Sequence, residues 1–533
     1  MGESDQFPSA PLAVPQATAS LKMIEPDRPF LPLRARDVQL YRVCEDLTQW
    51  LIYVMVVFCP WAFGTTQEWA IWTMNVAGYA LGLVLTIKLG IRWLKGYRPA
   101  RWDSGPALRS SVSPRPRLFT ATNLSWLLAG LTAVILLYCL ISALNARSTY
   151  HRFLFRFEYH RYLAWLPHSF DSTRTWFMFW TYLGLAGSFW AIHDWLLGKT
   201  LGEEKAQHQK ALLHNLDLAP LFPARLRRLL WVLCLNGGLL GIEGVAQRLE
   251  GSGRLLWLVQ PRVNPGAETQ FGPWAYRANA AQYFNLLWPV GLGFWWTLHR
   301  SAGFKRRTHH LLLVCGLIMA ACPIISTSRG GALISAGMVL LAAGVFLTTH
   351  FLLTARKREL PSSRRRTYAL VSLFLAAVLI LGYFLGWKQL KPRLRDVSEG
   401  FVQREQMYDM ARPMASDYPL FGTGPGTFEP LFQLYRHSLD DYWPAQLHND
   451  WLETRITFGW LGSSLIALAF LAVWLRWFAP GGIHGGRRFV ILLWLALGGC
   501  LVHARFDFPF QIYSIFFLFL TLGAVQFSLT RHP

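Results

Sequence analysis

The sequence predicts an all-α polytopic membrane protein with about twelve transmembrane helices and one large outward-facing loop. Three observations carry this. Of 533 residues, 53% are hydrophobic and only 15% charged, against about 25% charged in ordinary soluble domains. Apolar runs long enough to cross a bilayer follow one another along the chain. Lysine and arginine gather in the short loops after alternate runs.

The runs fall at about 47–66, 69–94, 124–145, 174–197, 226–245, 280–300, 309–326, 330–353, 367–386, 450–477, 489–505 and 509–528. Backbone groups in the hydrocarbon core must be bonded within their own segment, so these runs are expected to be helices. No alternating pattern points to a barrel. The expected organisation is a Pro-rich tail over 1–46, membrane helices over 47–386, a large loop over 387–449, and three final helices over 450–533. The tail does not read as a signal peptide, because its first apolar run begins near Leu47. The seven cysteines form no CxxC pair and read as small apolar helix residues.

The net charge of +22 comes from 52 Lys and Arg against 30 Asp and Glu. Its placement sets orientation. Arg300, Lys305, Arg306 and Arg307 follow the sixth run. Arg356, Lys357, Arg358, Arg364, Arg365 and Arg366 follow the eighth, and Lys95, Arg98 and Arg101 follow the second. Both termini are therefore expected to be cytoplasmic. Charges split among separate loops argue against nucleic acid as a partner and for membrane lipids. One outward segment, 146–172, is itself basic, with Arg147, Arg152, Arg156 and Arg161. An interfacial helix resting Phe153, Leu154 and Phe157 on lipid is one reading and a solvated loop the other.

With this orientation, ISTSRGG over 325–331 is a tight outward turn that places Arg329 at the membrane boundary. Its guanidinium fork matches phosphate in two-point fashion, and Ser326, Thr327 and Ser328 add hydroxyls. Snorkelling to water is the alternative. FGPWAYRANAAQYFN enters the sixth helix from the same side with Arg277 and Asn279. The large loop carries REQMYDMARP with Arg404, then FGTGPGTF, then QLHNDWLE. No GKS or GKT follows the glycines, so an ordered turn fits better than a nucleotide loop. His448 stands where the loop re-enters the membrane, with Asn449, Asp450 and Glu453 beside it. A neutral imidazole is the usual general base near pH 7, and either carboxylate is a candidate to orient it. No HExxH-type metal spacing occurs.

STSRGG, PLFGTGPGTF and HNDWLETRITFGWLG resemble signature regions of the bacterial O-antigen ligase and Wzy-type polymerase family. FGPWAYRANAAQYF resembles that family's loop into a central helix, without its histidine, and HARFDFPFQIYSIFF resembles its last helical hairpin. The resemblance is strongest over 270–525. It implies a GT-C-like membrane glycosyltransferase using a glycan on undecaprenyl diphosphate at the periplasmic face of the bacterial inner membrane, without metal or other cofactor. Arg277 and Arg329 would hold the diphosphate, and His448 would deprotonate an acceptor hydroxyl on a glycan or lipid A core. Asn279, Ser328, Arg404, Asn449, Asp450 and Glu453 would support them. A flippase or transporter of lipid-linked glycans is the alternative, and would want its charges at the membrane midplane.

Overall fold

The computed structural model describes residues 31–103, 120–206, 222–300, 307–356, 362–395, 397–437 and 444–531. The expected tail over 1–30 lies outside them, as do most of the basic loop 301–308 and residues 357–361 of the next basic loop.

The chain is an all-α polytopic membrane protein. A helix stands at each predicted run: α1 Ala35–Trp61, α2 Glu68–Leu94, α3 Ala121–Leu144, α4 Ser172–Leu197, α5 Ala224–Glu250, α6 Arg277–Arg300, α7 Leu311–Ile325, α8 Arg329–Arg356 and α9 Ser362–Gly382. The large loop contributes α10 Lys388–Arg395, α11 Val397–Asp417 and α12 Phe428–Phe432. The last three are α13 Asp450–Leu475, α14 Arg487–His503 and α15 Tyr513–Ser528. Among the described residues, eight helices are long and apolar enough to cross a membrane.

Two of the remaining long helices, α4 and α6, explain their own lower hydropathy. Helix α6 is buried on every side, with Ala280, Phe284, Trp288 and Trp295 all at 0% exposure. A helix enclosed by protein need not satisfy lipid, and α6 packs on α7, α8, α14 and α15. Lipid-compatible surface lies instead on outer helices, where Val76, Leu83 and Leu340 are exposed.

The first helix begins at Ala35, twelve residues before the expected Leu47. Asp37 accepts from the Arg34 amide at 2.9 Å, and Glu45 is held against Lys88 at 2.5 Å. These polar contacts let the helix run past its apolar stretch. All seven cysteines are free and buried, as their positions in apolar runs implied.

Residues 146–172 form no interfacial helix. They contain an antiparallel hairpin, β1 Ser148–His151 on β2 Arg156–Tyr159, with Phe153, Leu154 and Phe155 exposed at its tip. Aromatic and β-branched residues here suit a pleated ribbon. Arg152 pairs with Glu429 of α12 at 2.6 Å, and the Arg147 guanidinium stacks 4.2 Å from the Phe170 ring. Arg152 and Arg147 thus dock the hairpin onto the large loop and its own flank.

Candidate functional site

Helix α13 delivers His448, and its local design is unusual. Gly459 breaks the helix with φ 60° and ψ −168°. The backbone groups freed by a break inside an apolar span need partners. The 419–424 segment supplies them. Thr423 and Gly424 donate to the Ile456 and Thr457 carbonyls, each at 2.9 Å. Trp460 and Leu461 donate to Pro419 at 2.9 Å and Leu420 at 3.1 Å. The glycines of FGTGPGTF adopt positive φ (Gly422 69°, Gly424 103°, Gly426 80°) to make this fit. The expected ordered turn is a brace that spans the break and ties the second half of α13 to the first.

That half begins with Asn449, whose side chain caps the helix by accepting from Leu452 N at 3.2 Å. His448 just before it takes a left-handed φ of 57°, a cost a non-glycine residue bears only where its surroundings impose it. Tyr408 of α11 imposes part of it by donating to the His448 carbonyl at 2.8 Å. The imidazole is half-buried. Its Nδ1 lies 3.0 Å from Oδ1 of Asp507, in the turn between α14 and α15. Phe508 packs its edge on the ring at 4.7 Å between centroids, and Tyr276 at 6.1 Å.

Sequence proximity favoured Asp450 and Glu453 as orienting groups, but neither faces the imidazole. Asp450 accepts from the Phe510 amide at 2.8 Å, and Glu453 accepts from the Leu447 amide at 2.9 Å. Both are turned by the helix toward backbone donors that would otherwise be orphaned. Asp507 does the orienting. Burial pushes its carboxyl pKa up, but the hydrogen bond and charge of His448, with Arg404 and His503, outweigh this and hold it below 3.8. It stays ionised, so His448 Nδ1 carries the proton and Nε2 keeps a free lone pair.

The arginines converge on the same place. The Tyr276 hydroxyl donates to Asp507 Oδ2 at 3.4 Å, and Arg277 is the next residue along the chain. Its guanidinium reaches the Glu268 carbonyl. The charges of Arg393, Arg248 and Arg329 all act on Arg277. Arg329 opens α8 after a turn through Thr327 at φ 58°. Ser328 caps that helix, its Oγ accepting from Gly331 N at 3.2 Å. At Gly331, α8 crosses α6 so closely that a Cβ would overlap Ala281. The next residue after Arg329, Gly330, lies against His503, which stands 3.8 Å from Asp507.

Arg404 of α11 donates to the Phe506 carbonyl, and its charge acts on Asp507. Asn279 is buried in the first turn of α6. The structure therefore gathers His448, Tyr276, Tyr408 and Arg404 about the turn that carries Asp507, and groups Arg277 with Arg329, Arg248 and Arg393. Arg248 is anchored by the carbonyls of Ala267, Gln270 and Ser326 at 2.8 to 3.2 Å. An apolar cavity of about 720 Å³ runs between α3, α4, α13 and α15. Asn449, Asp450 and Arg505 stand among its lining residues.

Residues 314–467 match the family model described as O-antigen ligase. The chain carries an O-antigen ligase family domain. The matched stretch contains Arg329, the FGTGPGTF brace and His448, while Arg277 and Asp507 lie outside it. The kinship read from STSRGG, PLFGTGPGTF and HNDWLETR is borne out there. The family acts in membrane glycan transfer of the O-antigen ligase or polymerase type. No curated protein matches the chain.

Proposed function

We propose that the chain transfers a glycan from undecaprenyl diphosphate to an acceptor hydroxyl at the periplasmic face of a bacterial inner membrane, as an O-antigen ligase or polysaccharide polymerase. The observation that carries this reading is the His448–Asp507 pair, with Tyr276, which precedes Arg277, on Asp507 and with Gly330, which follows Arg329, against His503 beside it.

In this reading His448 Nε2 takes the acceptor proton while the oxygen attacks the anomeric carbon. The bond to the diphosphate oxygen breaks on the opposite face, which inverts the centre. Arg277 and Arg329 receive the charge that develops on the leaving diphosphate, where fixed cations act most strongly. Asp507 stabilises the imidazolium. The base and the counter-charges all come from side chains, so the step is metal-independent. The cavity beside Asn449 supports a lipid-borne substrate.

Purified protein incubated with a defined lipid-linked glycan and candidate acceptors, followed by product mass, tests this. Elongated lipid-linked glycan identifies a polymerase and a new glycolipid a ligase. Absence of any transfer product with an intact donor overturns the reading. Sidedness has its own check: since the native cysteines are buried, an impermeant thiol reagent added from the periplasm should modify cysteines introduced in 387–449 and spare those in 355–366.

A further inference from the structure

A cluster of three histidines stands far from this site. His299 lies at the end of α6, and His309 and His310 lie in the single turn that precedes α7. One ring nitrogen from each falls within 4.8 Å of the others. His299 Nδ1 and His309 Nε2 are 3.0 Å apart. His309 is buried, and the other two are half-buried.

Neighbouring aromatics hold the rings. Trp295, one turn before His299, stacks on it with centroids 5.0 Å apart and planes 15° apart. Its indole also donates to His310 Nδ1 at 3.4 Å, and the His309 and His310 rings lie 4.2 Å apart. This packing fixes ring orientation as outer contacts do around metal ligands.

We propose that His299, His309 and His310 bind one divalent transition-metal ion of the zinc type. Three neutral imidazoles suit zinc, cobalt, nickel or copper, and do not suit magnesium or calcium, which take oxygen ligands. Metal–nitrogen bonds of about 2.0–2.1 Å place tetrahedral ligand nitrogens about 3.3 Å apart. The His299–His309 pair is already near that spacing, and a small rotation of His310 that gives up its long bond from Trp295 brings in the third. A fourth position stays open for water. The ion would tie the end of α6 to the start of α7 across residues 300–308. It would stand about 33 Å along α6 from Arg277 at 1.5 Å per residue, so it takes no part in the chemistry at His448.

The test uses tag-free, full-length protein in detergent, stripped with chelator and titrated with cobalt(II). The expected result is one cobalt per chain with the visible absorption of nitrogen ligation, displaced by zinc and lost on acidification, because protonated imidazoles cannot ligate. His309→Gln and His310→Gln should each weaken binding at least tenfold. Should His309→Gln fail to accumulate, the half-exposed His310→Gln decides alone. Glycan transfer should be equal in stripped and loaded protein. Wild type that takes up no more cobalt than the triple His→Gln variant, or a His310→Gln variant that binds like wild type, overturns the proposal. So does transfer that requires the ion.

Discussion

At one end of α5, Lys88 lies 2.5 Å from Glu45 and 2.7 Å from Asp194, Arg92 and Arg101 reach Asp194 at 2.6 and 2.7 Å, and Arg225 reaches Glu45. At the other end, about 35 Å away along the helix, Arg248 and Arg277 act on one another and on further arginines. The first cluster matches buried cations with carboxylates, and Lys88 is 1% exposed. Each charge there answers another charge of the same chain. In the second, Arg393, Arg248 and Arg329 act on Arg277, while Glu268 acts on Arg248 and Asp507 on Arg404. A group of like charges held together by the fold is costly unless an anion joins it. The contrast separates cations matched by carboxylates at contact distance from arginines grouped with one another beside the proposed site.

The sharpest way to break that contrast is His448→Ala. Transfer should fall by on the order of 10²–10⁴, while binding of lipid-linked glycan, measured separately, should survive. Wild-type turnover would remove the base from the proposed step, and loss of binding would recast His448 as an anchor of the outer loop. Lys88→Met probes the opposite cluster. Asp194 keeps Arg92 and Arg101 and Glu45 keeps Arg225, so losing the shared cation should cost about 3 kcal/mol of stability, the low end for a broken buried pair, read as a lower unfolding midpoint in detergent, with turnover per folded molecule unchanged.

Smaller effects sharpen the picture. Arg329→Lys keeps the charge and loses the two-point fork, so it should raise the transfer barrier by about 1.5–3 kcal/mol in protein that still inserts. Normal turnover would leave Arg329 as a boundary residue. Asp507→Asn should slow transfer to a similar degree by freeing the wrong imidazole tautomer. It also carries a pH signature. Asp507 titrates below 3.8 in the folded chain, so its contribution to stability is present above about pH 4 and is lost as pH falls through the folded value. The difference in unfolding midpoint between wild type and Asp507→Asn should be constant near neutrality and shrink in acid.

The helices were legible because a bilayer demands long apolar runs, and such runs read directly from composition. Arg329 and His448 were legible because each interrupts or ends such a run. Asp507 was not, since 59 residues separate it from His448 and nearer carboxylates competed for the same role. Helix α6 hid its central place behind Trp, Asn and Gln that a lipid-facing helix would avoid. The hairpin at 148–159 stayed open between an interfacial helix and a solvated loop because Phe153, Leu154 and Phe157 fit a helical spacing as well as a strand-and-turn one, and only the pairing of β1 with β2 settles it.

The break at Gly459 has a consequence for how the enzyme meets membranes of different thickness. An unbroken α13 would act as a rigid lever, and a change in bilayer thickness that tilts it would carry His448 along. Here the 419–424 segment is bonded to Ile456 and Thr457 before the break and to Trp460 and Leu461 after it, so a tilt that answers hydrophobic mismatch must carry the outer loop with both halves. The joint works as a splint, and the imidazole keeps its place against Asp507 because the loop, not the helix alone, holds it.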